Sequence, residues 1–397
     1  MVGVMATARQ RIEAVFIVVL VVELVGMTAL AGRAPGSPLE PRAAAGVWLA
    51  LLPVFLLVIT AIKSAGRAFA SRAAGRLHAD DPVRRAKTVT KFGDQSWQLF
   101  VHVCMTALEY YVLELEEGGT DWMRVPSSLW PCCSTAQIWT TAHRPSIHHL
   151  YLLQAVIWMV TAFSHVALEE RHNDYLLMLC HHVVTLALIV LSYWYNYVRV
   201  GVVVLFLHDS SDIVVDLLKM ANYLNLEGPR GLFCVELLFV ANLAAWGYLR
   251  LFVLPLHVIW RGVAIAPREL YTAPGAVGME AFTAAAGGDA HTRGHARGYA
   301  VPRDLGQPGK FDLLANIRAL PTHETLPLYW SASALLAALA VMHLAWYLMF
   351  WRLLYRMTIL GEVPQEAGDE VYEGDAAHRS PEKRSPDNTA TRRAKAE

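Results

Sequence analysis

The sequence predicts an all-α polytopic membrane protein, a bundle of about seven or eight transmembrane helices around a polar intramembrane cavity. Three observations carry this. The 397 residues are 55% hydrophobic and 17% charged, against the roughly 25% charge typical of soluble domains. The apolar residues fall in long uninterrupted runs rather than amphipathic periods, and runs of about 18 or more are what a bilayer crossing requires. Titratable residues interrupt some of these runs, and in hydrocarbon such groups must face protein or water.

Eight runs qualify, at about 12–31, 45–62, 97–115, 150–168, 175–195, 200–221, 232–260 and 328–351. Ahead of the first, Arg9 and Arg11 resemble the start of a signal peptide, but Glu13, Glu23 and the length of the run favour a retained helix or anchor. The stretch 63–96 carries Lys63, Arg67, Arg72, Arg76, Arg84, Arg85, Lys87 and Lys91 against Asp80, Asp81 and Asp94. By the positive-inside rule it is cytosolic, and with eight spans the N-terminus and the tail after Trp351 are cytosolic too. It interrupts membrane spans and lacks interleaved aromatics, so no nucleic-acid partner is expected. Cys104, Cys132, Cys133, Cys180 and Cys234 make an odd number without metal-ligand spacing and read as structural.

The expected organisation is an N-terminal transmembrane region (1–62), a basic cytosolic loop (63–90), a helical membrane domain (91–356) and a disordered cytosolic tail (357–397). Within the membrane domain, 261–327 is rich in Gly, Ala and Pro and reads as a long lumenal insertion. The tail carries Ser380-Pro381 and Ser385-Pro386, each after Arg, as proline-directed phosphorylation patterns. Its Arg393 and Lys395 resemble a dibasic endoplasmic-reticulum retrieval signal.

The sixth run contains LFLHDSSDIVVDLLKMANYLN (205–225). At about 100° per residue, His208, Asp209, Asp212, Asp216 and Lys219 fall within a single arc of about 100°. Asp216 and Lys219 stand at i,i+3, the spacing of a structural ion pair. The fifth run adds His181 and His182, with Thr185, Ser192 and Asn196 on roughly the His181 side. The fourth adds a stripe of Tyr151, Gln154, Trp158, Thr161, His165 and Glu169. A central Asp or Lys costs roughly 2.5–3.5 kcal/mol in hydrocarbon, so these faces must meet one another.

Imidazole moves a proton near neutral pH, and a neighbouring carboxylate fixes its tautomer. His and Asp together, without a serine or cysteine at nucleophile spacing, suit acyl transfer, with histidine as nucleophile or general base. A di-iron centre would need several histidine boxes. His143, His148 and His149 superficially form one, but it contains Pro145 and has no second copy, so no metal is expected.

The run from Cys180 to Asn225 resembles the Lag motif of ceramide synthases, within the TLC domain. The matching positions are His181-His182, Ser192-Tyr193, Asn196, Arg199-Val200-Gly201, Leu207-His208-Asp209-Ser210, Asp212 and Lys219-Met220-Ala221-Asn222-Tyr223. Lys91-Phe92, Asp94 and Trp97 resemble the start of that domain, with Asp where Glu is usual. Ile147-His148, Gln154 and Phe163-Ser164 resemble the next span, with Gln where Glu is common, and Asp174-Tyr175 and Met178 resemble the run before the histidines. The chain departs from the family in lacking a homeobox-like segment and in the length of its 261–327 insertion, so acyl-chain preference does not carry over.

The resemblance implies acylation of a sphingoid long-chain base by fatty acyl-CoA, in a multi-pass protein of the endoplasmic-reticulum membrane. Acyl-CoA acts as co-substrate and no cofactor is implied. His181 is the first candidate for a covalent acyl carrier. His182, His208 and Asp209 would orient imidazoles and shuttle protons, and Asp212 would stabilise cationic character or engage the substrate amine. Gln154, Trp158, Ser192, Asn196 and Arg199 are the substrate-binding candidates. Membrane lipids and a homo- or heterodimeric partner complete the expected contacts. A noncatalytic lipid-handling member of the superfamily is the alternative; a proton-coupled transporter would need an inverted repeat of broken helices, which the sequence lacks.

Overall fold

The computed structural model describes residue 54 and residues 57–73, 82–116, 122–130, 145–167, 174–267 and 328–361. The predicted span at 12–31, most of the insertion and the tail lie outside the described residues. Six long helices make up the described membrane domain. These are α1 (Pro82–Tyr110), α2 (Pro145–Ala167), α3 (Tyr175–Trp194), α4 (Val198–Tyr223), α5 (Cys234–Trp246) and α6 (Tyr329–Thr358). Wider π-type winding extends α1 through Tyr111–Glu116 and α5 through Gly247–Ile265.

Among the described residues, four helices are long and apolar enough to cross a membrane: His149–Val166, Tyr175–Trp194, Cys234–Ile265 and Tyr329–Thr358. The runs predicted at 97–115 and 200–221 are helical as well, in α1 and α4, but too polar to qualify by composition. These two pack extensively on each other, so each gives the other a polar face to meet away from lipid. Around this seam α5 packs against α4, α3 against α2, and α6 against both α3 and the π-wound part of α5. The bundle is all-helical, as expected, and with its apolar spans it is a multi-pass membrane domain.

The basic stretch read as a loop is helical in its described parts, over 57–73 and from Pro82 onward. Lys and Arg are good helix formers, and their charged ends lie outside the apolar core. The two helical stretches cross where Gly66 faces Ser96 and Gly93 faces Arg67, too close for a Cβ on either glycine. Lys63 pairs with Asp94 at 2.9 Å beside that crossing. Similarly, 145–149, expected as loop, is the first turn of α2, because proline pre-sets the helical φ at a helix start. The fifth predicted span ends where expected, whereas the one at 232–260 runs on to Ile265.

The turn from α3 to α4 occupies Tyr195–Tyr197, with Asn196 in the left-handed region at φ 55°. Asn reaches this conformation more readily than other side-chain-bearing residues. Just beyond it, α2, α3 and α4 converge on Gly201. A Cβ there would overlap the Tyr151 hydroxyl and press on Ser192. Gly201→Ala is therefore expected to cost about 1–3 kcal/mol by overpacking, read as a lower thermal midpoint in detergent.

Candidate active site

Gln95, His102 and Glu109 recur every seven residues along α1 and so share one face, which meets the carboxylates of α4. Asp216 accepts hydrogen bonds from Gln95 Nε2 at 2.5 Å and His102 Nδ1 at 2.6 Å. Asp212 lies 3.9 Å from the other nitrogen of His102 and forms an ion pair with Arg250 at 2.6 Å. Arg250 comes from the π-wound part of α5. Its remaining donors reach Ser211 Oγ at 2.7 Å and the His208 carbonyl at 3.0 Å, and its guanidinium lies 4.0 Å over the Trp246 ring. One buried arginine thus ties α5 to α4 through a carboxylate, a hydroxyl and a main-chain oxygen.

One helical turn away, the Gln154 amide of α2 donates to Glu109 Oε1 at 2.6 Å and to Asp209 Oδ2 at 2.7 Å. Its oxygen accepts from the Trp158 indole at 3.0 Å. Gln154, Glu109 and Asp209 are all at least 97% buried. Trp158 then places its ring edge-on to both His181, at 5.3 Å, and His182, at 5.6 Å.

His181 sits among rings from three other helices: Trp158, His208 at 6.3 Å, His343 at 6.3 Å and Trp346 at 5.4 Å. His208 Nδ1 is 2.5 Å from the Val204 carbonyl, which can only accept, so that nitrogen carries the proton. The Nε2 of His208 then accepts from His343 Nε2 at 3.0 Å. His181 Nδ1 and His343 Nδ1 are buried and have no hydrogen-bond partner. His182 packs between Trp158 and His165. Among the described residues, no group of three or more His, Cys, Asp or Glu has the geometry to hold a metal ion.

One to two turns further along α3, α4 and α6 lies an apolar cavity. Leu188, Ser192, Val204, Leu205 and Leu336 line it, together with the aromatic rings of Trp130 and Tyr329. Those two aromatics are fixed by hydrogen bonds to the carbonyls of Gly262 and Val263.

Of the residues singled out from sequence, His181, His182, His208, Gln154 and Trp158 come together, and Asp209 joins them through Gln154. The expected partnership of Asp209 with an imidazole is not formed: its bond goes to the Gln154 amide, because Asp209 turns toward α2 while His208 turns toward α6. Asp212 meets Arg250, and the Asp216–Lys219 pair gives way to one between Asp216 and α1, leaving Lys219 exposed. Ser192 lines the cavity. Asn196 and Arg199 lie at the α3–α4 turn, about 22 Å of helix rise from His181. There Arg199 holds the Ser128 carbonyl at 3.1 Å, a position suited to anchoring the Pro126–Leu129 turn rather than meeting the polar cluster.

His102, Glu109, Arg250 and His343 belong to the cluster and were not singled out. Each is an isolated titratable residue in an apolar run. The seven-residue spacing of Gln95, His102 and Glu109 was a legible signal for the first two.

The TLC-domain family model matches residues 91–352, which holds the whole cluster. The chain is 29% identical over 185 residues to ceramide synthase 1 of Arabidopsis thaliana, covering 46% of this chain and 56% of that protein. It is 30% identical over 168 residues to the sphingosine N-acyltransferase of Schizosaccharomyces pombe, covering 42% and 39%. To ceramide synthase 4 of Bos taurus it is 26% identical over 170 residues, covering 43% and 39%. The chain thus spans about half the length of the curated relatives it matches.

Proposed function

The chain belongs to the TLC-domain family, and from that premise we propose that it is a ceramide synthase, joining a fatty acyl group from acyl-CoA to the amine of a sphingoid base. The observation that carries this reading is the gathering of His181, His208 and His343, with an apolar cavity one to two helical turns further along the same helices. A polar reaction centre above a hydrocarbon-lined space suits two substrates that each pair a polar head with a long chain.

The Lys63–Lys91 end is read as cytosolic. His181 lies six residues into α3 from that end, about 9 Å of helix, within reach of a thioester whose CoA head stays in water. The proposed route is ping-pong. A nitrogen of His181 attacks the thioester carbonyl, a C–N bond forms, the C–S bond breaks and CoA leaves. The amine of the base then attacks the acyl-imidazole, an amide forms and the imidazole departs. His208 and His343, joined through their Nε2 atoms, form a relay beside the reacting ring. The endoplasmic-reticulum membrane is the compartment that goes with this chemistry.

The test is an assay of microsomes containing the chain with sphinganine and a panel of acyl-CoAs. Ceramide product is expected for at least one chain length; none from any would sink the reading and leave the noncatalytic alternative. The cavity adds a second expectation. Ala332→Phe, which fills its wall, should shift the product profile several-fold toward shorter acyl chains without abolishing turnover.

A further inference from the structure

Four carboxylates line the seam between α1 and α4: Glu109, Asp209, Asp212 and Asp216. Two are matched by side chains that can carry positive charge, Asp212 by Arg250 and Asp216 by His102, with Gln95 completing the second. Glu109 and Asp209 meet each other side chain to side chain and share the neutral amide of Gln154, which gives one N–H to each. Lys219, further along α4, is exposed.

Glu109 has no exposed surface, and its second oxygen, Oε2, is buried without a hydrogen-bond partner. An unsatisfied buried acceptor costs about 1–3 kcal/mol, and more if charged. What would satisfy two adjacent carboxylates, one with an open oxygen, is a compact cation with several donors, and a primary ammonium has three. The site is also joined to the acyl-transfer centre, since the Trp158 indole that holds Gln154 Oε1 stands edge-on to His181.

We propose that Glu109 and Asp209 form the acceptor-amine site, binding the protonated amine of the long-chain base and taking its proton before attack. This rests on the acyl-transfer reading above. In the step, a carboxylate oxygen accepts one proton from R–NH3+, giving a carboxylic acid and R–NH2. The freed nitrogen lone pair forms the amide bond as the bond from the acyl carbon to its carrier breaks, and the second amine proton goes to the departing group. Gln154 acts as a positioning residue, holding the two carboxylates together.

Purified full-length wild type and Glu109→Gln are compared in two measurements: binding of sphinganine, and binding of an uncharged analogue with hydroxyl in place of the amine. Glu109→Gln is expected to weaken sphinganine binding at least tenfold, while analogue binding stays within about twofold. Unchanged sphinganine binding, or equal weakening of both ligands, would overturn the proposal. If Glu109→Gln does not fold, Glu109→Asp serves in its place; it keeps the charge on a shorter arm, and a selective loss for the amine of at least threefold is expected. The two readings fail separately. Glu109-dependent amine binding by a wild type that makes no ceramide keeps the site and removes the acyl-transfer reading. Full ceramide synthesis with unaltered amine binding in the variant does the reverse.

Discussion

Replacing His181 by alanine is expected to lower ceramide formation by at least about 10²-fold, the lower end of what a positioned acid–base group supplies, and further if the imidazole carries the acyl group. The expectation comes from the position of the ring. His181 is the imidazole set against both members of the His208–His343 pair and against Trp158, which leads to the buried carboxylates. Its Nδ1 is committed to no neighbour. Mass-spectrometric quantitation of ceramide in microsomes, with expression matched, is the measurement. Intact-mass analysis after incubation with acyl-CoA alone separates the two routes: an adduct of one acyl group on wild type, absent from His181→Ala, supports the covalent one. Activity retained above about a tenth of wild type would remove His181 from the centre of the chemistry.

Arg250→Met should be the most damaging single change to stability, at about 3–5 kcal/mol, the usual cost of removing one partner of a buried ion pair. The guanidinium is 3% exposed and Asp212 25%, so the lower half of that range applies. Losing it leaves Asp212 with the longer, 3.9 Å contact to His102 in place of a close ion pair, and leaves Ser211 Oγ and the His208 carbonyl without this donor. The signature is non-additivity. Arg250→Met combined with Asp212→Asn should recover more than half of the lost thermal stability in detergent, because the charge that lost its close partner is gone. Recovery of none would mean that the arginine acts through its packing on Trp246 instead.

The helices were legible because length and apolar content suffice for a bilayer span, and α3 begins and ends within a residue of its expected bounds. Helix starts were harder. Pro145 opens a helix that was expected to start only at about 150, and the basic residues of 63–96 were read as loop because charge and helix propensity were not separated. In the site, clustering along one helix could be seen but partnership between helices could not. The stripe on α4 was correctly seen as polar, yet whether Asp216 turns to Lys219 or to His102 depends on which helix packs beside it. Arg250 and His343 each stand alone in an apolar run, where sequence holds no second residue to reveal their role. Only the antiparallel pairing of α1 with α4 and the return of α5 and α6 bring them to the histidines.

The mutual dependence of α1 and α4 bears on how the chain enters its membrane. During synthesis α1 emerges with Gln95, His102 and Glu109 on one face, roughly a hundred residues ahead of the carboxylates that will cover it. Neither helix is apolar enough to partition into lipid by composition alone, and each unpaired central Asp costs roughly 2.5–3.5 kcal/mol there. Until α4 arrives, Gln95 and His102 of α1 therefore lack the side-chain partner they have in the folded bundle, and Glu109 lacks Asp209. The residues that build the site are also ones whose partners lie far apart along the chain.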